Sequence, residues 1–119
     1  MNIQYEYNQK LDVILVICEG MFRGSRENSL FLKGNMALSE RFNCFRFLID
    51  ARNLKLDQTL VDAPYLANNF YELGFDIMYR TAFLYAHDEN LYKFLELILE
   101  DRGYQARFFD NESDARTWL

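Results

Sequence analysis

The segment Val13-Ile14-Leu15-Val16-Ile17 is apolar at five consecutive positions. A strand that is apolar on both of its alternating faces is one that other elements cover from both sides. It is the centre of a predicted strand from Leu11 to Glu19. Before it, Ile3, Tyr5 and Tyr7 alternate with Gln4, Glu6 and Asn8, the period of a half-buried strand. Polar Asn8-Gln9-Lys10 between the two predicts a turn, and hence an antiparallel hairpin.

Beyond the hairpin, helical and strand periods alternate along the chain. Ser25 is placed to cap a helix whose inner face is read as Leu30, Gly34, Ala37 and Leu38. Gly34 weakens a helix, unless it marks a close approach to the sheet. Phe45 to Ala51 predicts the third strand, and Leu54 to Val61 fits neither period cleanly. Asp62 and Pro64 open a second helix with the stripe Ala63, Leu66, Ala67, Phe70 and Leu73, closed by Gly74. Tyr79 to Ala86 is a fourth strand. Asp88 is expected to cap a third helix with the face Leu91, Phe94, Leu95 and Ile98, and Arg102 and Gly103 mark its end. Gln105 to Phe109 is a fifth strand. Asp110 or Asn111 then begins a last helix, whose Trp118 and Leu119 are expected to dock on the body. The order β-β-α-β-α-β-α-β-α predicts an α/β fold: a mostly parallel five-stranded sheet with an N-terminal antiparallel hairpin and helices packed against it. The 119 residues fit one domain, residues 1–119.

The pieces that close these elements, Phe47-Leu48-Ile49-Asp50, Arg80-Thr81-Ala82-Phe83-Leu84, Glu100-Asp101-Arg102-Gly103, Phe108-Phe109-Asp110 and Ala115-Arg116-Thr117-Trp118-Leu119, together resemble the SpoIIAA-like bacterial proteins of the STAS-domain group, small relatives of the CRAL-TRIO lipid carriers. The resemblance covers almost the whole chain. It implies a non-enzymatic regulatory or protein-interaction module. In anti-sigma-factor antagonists a serine in Asp-Ser-Ser-Gly is phosphorylated to switch partner binding. The matching stretch here is Asp57-Gln58-Thr59-Leu60, which keeps the aspartate, lacks the glycine and leaves Thr59 as the only hydroxyl. Thr59 is thus the residue at which the resemblance would put a phospho-switch, with no arginine beside it in sequence to receive the charge.

Composition excludes several classes. A net charge of −5 with scattered Lys and Arg lacks the cationic footprint of a nucleic-acid binder or of a protein held at an anionic membrane. Met1-Asn2-Ile3-Gln4 lacks the basic and apolar regions of a signal peptide, and Val13 to Cys18 is too short to cross a bilayer, so a cytoplasmic location is expected. Cys18 and Cys44 have no CxxC spacing and read as buried, reduced thiols. With one histidine and no ligand spacing, neither a metal nor a cofactor is expected.

Ligands of open α/β sheets gather outside the carboxyl ends of the strands. The residues expected there fall in Gly20 to Ser25, Asp50 to Asn53 and Ala86 to Glu89, with Met21, Phe22, Arg23, Ser25, Asp50, Arg52 and His87 as candidate ligand or partner contacts. Ser25, Asp50 and His87 have the residue types of a hydrolase triad, but Ser25 sits in Arg-Gly-Ser-Arg-Glu and not in a nucleophile elbow. No catalytic residue is assigned. The remaining signal is aromatic surplus: 11 Phe and 8 Tyr. Phe22, Phe42, Phe45, Phe70, Tyr71, Phe75, Tyr79, Tyr85 and Tyr92 either all pack a core, or leave an exposed apolar patch or a cavity. A patch implies a protein partner, a homodimer through a sheet edge or an aromatic helix face being the simplest. A cavity implies a carrier or sensor of a small apolar or anionic ligand, bound near Met21-Phe22-Arg23 and Asp50-Ala51-Arg52. A small hydrolase is the remote third reading.

Overall fold

The computed structural model describes the backbone of residues 1–119 and every side chain except those of Ser25, Arg26, Asn28 and Ser29. The strands are β1 (Asn2–Asn8), β2 (Val13–Phe22), β3 (Arg46–Leu56), β4 (Arg80–Leu84) and β5 (Gln105–Phe109). The helices are α1 (Ser25–Phe42), α2 (Ala63–Asn68), α3 (Glu89–Asp101) and α4 (Glu112–Trp118). The strand order in the sheet is β1-β2-β3-β4-β5. The hairpin β1–β2 is antiparallel and every later pairing is parallel.

This order dictates where the helices go. Crossovers of one hand that always step the same way along a sheet place every connecting helix on one face. The main core accordingly joins Phe31 of α1, Leu66 of α2, and Tyr92, Leu95 and Leu99 of α3 to the inward residues Ile14, Val16, Cys18, Phe47, Ile49 and Phe108. α4 connects nothing onward and packs on the opposite face, where Ala115 and Trp118 meet Val13, Leu48, Ala82, Leu84 and Phe109. The two-faced apolarity of β2 is explained only in part. Ile14, Val16 and Cys18 are buried under the helices, and Val13 is buried beside α4, but Leu15 and Ile17 are only half-buried because α4 covers β4 and β5.

Helix faces differ from the sequence reading in two places, α1 and α3. The inner face of α1 is Glu27, Phe31, Asn35, Leu38, Ser39 and Phe42, while Leu30 and Ala37 are exposed. Several of the innermost positions are polar, and a stripe traced through apolar residues alone passes them by. Asn35 is fully buried and its Nδ2 donates to the Leu73 carbonyl (3.1 Å), joining α1 to the turn after α2. In α3 the buried face is Tyr92, Leu95 and Leu99, which leaves Phe94 53% exposed. The predicted stripe Ala63, Leu66, Ala67, Phe70 and Leu73 is buried throughout, although the helix itself ends at Asn68 and the rest is a chain of turns.

Capping differs likewise. Gly24, not Ser25, occupies the N-cap of α1, and the Ser25 side chain lies outside the described residues. Glu27, in the first turn, accepts from the Arg23 N–H (3.3 Å). Asp62 and Asn111 cap as expected, accepting from Tyr65 N–H (2.8 Å) and Asp114 N–H (2.9 Å). Asp88 does not. It is left-handed (φ 61), so its carboxylate is turned from the first-turn donors that an extended N-cap residue reaches.

Gly34 does mark a close approach. A Cβ there would overlap the Tyr5 ring and hydroxyl, because Tyr5 rises from β1 directly beneath α1. Gly34→Ala is therefore expected to cost about 2 kcal/mol by overpacking, despite alanine's better helix propensity. Tyr5→Leu in the same chain should return most of that loss. A double-mutant cycle of urea unfolding free energies reads the coupling, and additive effects would refute the contact.

Candidate functional site

The candidates read from the sequence do not converge. β2 runs to Phe22 and β3 to Leu56, so Asp50, Ala51 and Arg52 lie within the sheet and not at its rim. A bulge allows this: between Ile17↔Asp50 and Glu19↔Asn53, β3 carries one residue more than β2, after which Leu54 and Leu56 face the core. The period-2 pattern Leu54-Lys55-Leu56 holds that signal. The bulge puts it out of phase with Phe47-Ile49-Ala51, which is why the stretch fits no single period.

Asp50 and Arg52 form a closed pair on the α4 face. Arg52 Nε and Nη2 donate to the two carboxylate oxygens (2.9 and 2.7 Å), and the Arg52 N–H donates to Oδ1 (3.1 Å). The Arg52 hydrogen bonds hold the Asp50 carboxyl below the usual carboxylate range, against the upward push of its burial. A carboxyl depressed in the folded state adds stability above its unfolded pKa, near 3.9, and loses it as pH falls through the folded value. The stability difference between wild type and Asp50→Asn is therefore expected to shrink below about pH 4. Urea midpoints against pH check this, and a difference constant down to pH 2 would refute it. Arg52 is 41% exposed, so added salt should reduce the effect.

Phe22 and Ala51 face the helix side, whereas Asp50 faces α4. Met21 is half-buried, Arg23 is exposed beyond β2, and His87 is exposed after β4. Among the described residues no hydrogen bond joins Asp50 to His87; the Asp50 carboxylate is taken up by Arg52. The rim at the carboxyl ends is built instead from Arg23, the turn Asp57 to Val61, and His87 to Glu89. Asp57 is the hub of the turn. Its carboxylate accepts from Thr59 Oγ1 (2.6 Å) and Thr59 N–H (3.1 Å), and its carbonyl accepts from Leu60 and Val61 N–H (3.0 and 2.8 Å). The Thr59 hydrogen bonds lower the Asp57 pKa, with a smaller contribution from the charge of Arg23, which lies far away in sequence. Gln58 Nε2 donates to Asp88 Oδ1 (2.7 Å) and ties this turn to the start of α3. A phosphoryl group on Thr59 would meet the Asp57 carboxylate before any cation.

The aromatic surplus divides. Phe22, Phe70, Phe75, Tyr85 and Tyr92 are buried, and Phe42 and Tyr79 are half-buried, Phe42 stacking on Tyr7 at 4.2 Å. Phe45 and Tyr71 are 47% and 58% exposed. They lie at the end of the sheet opposite the rim. Phe45 stacks on Tyr79 (6.1 Å), and Tyr79 and Tyr71 share a shallow depression with Leu32 and Met36. Ile77 and Met78, just before Tyr79, are 50% and 74% exposed. Nothing about Phe45 or Tyr71 in the sequence separates them from the core aromatics. Phe45 directly precedes β3 and Tyr71 lies in the turns after α2, and in both places burial depends on the path of the turn.

The β5 edge of the sheet is blunted. Phe108 donates its N–H to Glu96 Oε1 (3.1 Å), and its carbonyl accepts from Lys93 Nζ (2.7 Å), so α3 side chains take the backbone groups that an added strand would need. Cys18 and Cys44 are buried free thiols, and burial pushes Cys18 up to about 12. Among the described residues no helix is long and apolar enough to cross a membrane.

No protein-family model matches the sequence, and no curated protein matches it. In structure, the chain is similar to the anti-sigma factor antagonist SpoIIAA in its unphosphorylated form, with a TM-score of 0.58 over 95% of this chain and 92% of that one, at 10% identity. The fold is thus SpoIIAA-like, with the hairpin, the parallel strands and the interleaved helices that the sequence pattern predicted.

Proposed function

We propose that the protein is a non-enzymatic interaction module of the STAS type whose contact surface is the apolar end formed by Met36, Phe45, Tyr71, Met78 and Tyr79. The observation that carries this reading is the exposure of Phe45, Tyr71 and Met78 together at one end of the sheet, with Phe45 stacked on Tyr79. Apolar side chains gathered in one patch are stabilised when a partner removes them from water. The blunted β5 edge favours this surface over strand addition there. The SpoIIAA-like fold supports a binding role, since the similar protein is an antagonist that acts on another protein. The rim turn at Asp57 to Val61, with Thr59 exposed, is the second place at which a partner or a modification would be felt.

The simplest partner is a second copy. Native mass spectrometry and sedimentation of the purified chain should show a dimer that Phe45→Glu with Tyr71→Glu converts to monomer without loss of helical signal. A wild type that stays monomeric at high concentration, or a dimer indifferent to both substitutions, would overturn the assignment of this surface.

A further inference from the structure

α3 carries more apolar surface than its place in the fold uses. Tyr92, Leu95 and Leu99 form its buried face. A helix on the surface of a domain needs one such face and is ordinarily polar on the rest. In α3 a second apolar set, Leu91, Phe94, Leu97 and Ile98, recurs at i, i+3, i+6 and i+7. Residues three and four apart are neighbours on a helix surface, so these four form one stripe. Phe94 is 53% and Leu97 64% exposed at its crest, while Leu91 and Ile98 are half-buried against the core.

The charge around this stripe is mostly of one sign. α3 carries Glu89, Glu96, Glu100 and Asp101 against a single lysine, Lys93. Lys93 is turned to the β5 edge, where its Nζ donates to the Phe108 carbonyl (2.7 Å) and meets Glu96 (3.3 Å). Glu100 and Asp101 are exposed, and neither makes an ion pair among the described residues. Arg102, just past the helix, is the nearest cation to them in sequence. A second copy docked through the same helix would bring carboxylates toward carboxylates, and an anionic lipid surface would meet the same repulsion. A helix with Lys or Arg beside an apolar stripe gains from both the burial and the charge.

We propose that the outer face of α3 is a docking site for a cationic amphipathic helix of a partner protein. Phe94 and Leu97 are its anchors, and Glu100 and Asp101 face the basic residues of the partner. This surface is distinct from the apolar end at Phe45 and Tyr71, and the inference does not rest on that assignment.

The test uses the full chain and a synthetic helical peptide of about 18 residues, long enough to hold a helix, with leucines in one stripe and lysines elsewhere. A peptide with glutamate for every lysine is the control. The lysine peptide should shift the amides of residues 91–101, and the glutamate peptide should leave them in place. Phe94→Gln with Leu97→Gln keeps the charge and should weaken binding at least about tenfold with helical circular dichroism unchanged. Glu100→Gln with Asp101→Asn keeps the apolar stripe and should weaken it severalfold, as should salt at about 0.5 M. Phe45→Gln with Tyr71→Gln should leave peptide binding as it is, so the two surfaces stand or fall separately. Four results would overturn the proposal: the lysine peptide shifts amides elsewhere and not these; both peptides bind α3 equally; amides 91–101 shift with the protein's own concentration, which makes the occupant a second copy; or they shift on phosphatidylcholine vesicles, which makes it a lipid surface.

Discussion

Replacing Gly74 by alanine is expected to destabilise the protein by about 3 kcal/mol, the sum of a left-handed backbone and an overpacked contact. Gly74 closes the chain of turns after α2 with φ 90. A side chain at that φ is strained by roughly 1–2 kcal/mol wherever it stands. Space makes the case worse. A Cβ on Gly74 would come within 3.0 Å of the Leu32 Cα, the Phe31 carbonyl oxygen and the Asn35 Cβ. The first two are backbone atoms in the middle of α1 and cannot rotate away. Relief requires moving the helix, and that would break the Asn35 to Leu73 hydrogen bond, which leaves more of a fully buried amide unpaired. For a domain of this size, about 3 kcal/mol corresponds to a fall in Tm of roughly 10 °C or more. Urea and thermal unfolding measure it directly. A loss below about 1 kcal/mol would mean that the turn is not held against α1 in this way.

Arg80→Ala is expected to cost about 2–3 kcal/mol and to release α4 from the sheet before the rest of the protein unfolds. Arg80 leaves β4 on the face that α4 covers. Its Nη2 and Nε donate to the Trp118 carbonyl (2.6 and 3.2 Å), its guanidinium lies 3.8 Å from the centre of the Trp118 ring, and Nη1 reaches Gln105 Oε1 (3.3 Å). One side chain thus satisfies a free carbonyl at the end of a seven-residue helix and stacks on the ring that anchors it. So short a helix has little stability of its own and persists through docking. Arg46 adds a neighbouring clamp, with Nη2 on the Leu119 carbonyl and Nη1 on the Leu11 carbonyl (2.8 Å). Arg80→Lys keeps the charge but loses the planar fork, and should recover less than half of the loss. Trp118 is the sole tryptophan, so its fluorescence reports this docking alone. In Arg80→Ala the fluorescence transition should precede the loss of helical circular dichroism. Unchanged Trp118 emission together with unchanged stability would refute the clamp.

These two residues hold opposite faces of one sheet, and the faces differ in how they are covered. The helix face carries a continuous aromatic core, from Phe47 and Phe75 through Phe70 and Phe83 to Phe108 and Tyr92. The other face carries one short helix held by arginines. Stability against Gly74→Ala and docking against Arg80→Ala should therefore respond separately, and the double variant is expected to be close to additive.

Much of this architecture is legible in the residues themselves. The apolar run Val13 to Ile17, the alternation in β1 and the turn chemistry at Asp62-Ala63-Pro64 and Asn111 are local signals, because strand and helix periods and cap hydrogen bonds act within a few residues. With the β-α alternation they determine the element order and the parallel sheet, and even Gly34 could be read as a close approach. Tertiary structure decided what depends on residues far apart in sequence. The bulge in β3, set by its register against β2, kept Asp50 and Arg52 within the sheet and away from the expected rim. Gln58 met Asp88 across 30 residues of chain, and Arg23 came within range for its charge to act on Asp57. Asn35 took an inner position that an apolar stripe could not predict, because its partner is the carbonyl of Leu73. Whether an aromatic ring is buried or exposed depends on how helices of fixed shape fit a twisted sheet. That fit left Phe45 and Tyr71 exposed, and it involves all the elements at once.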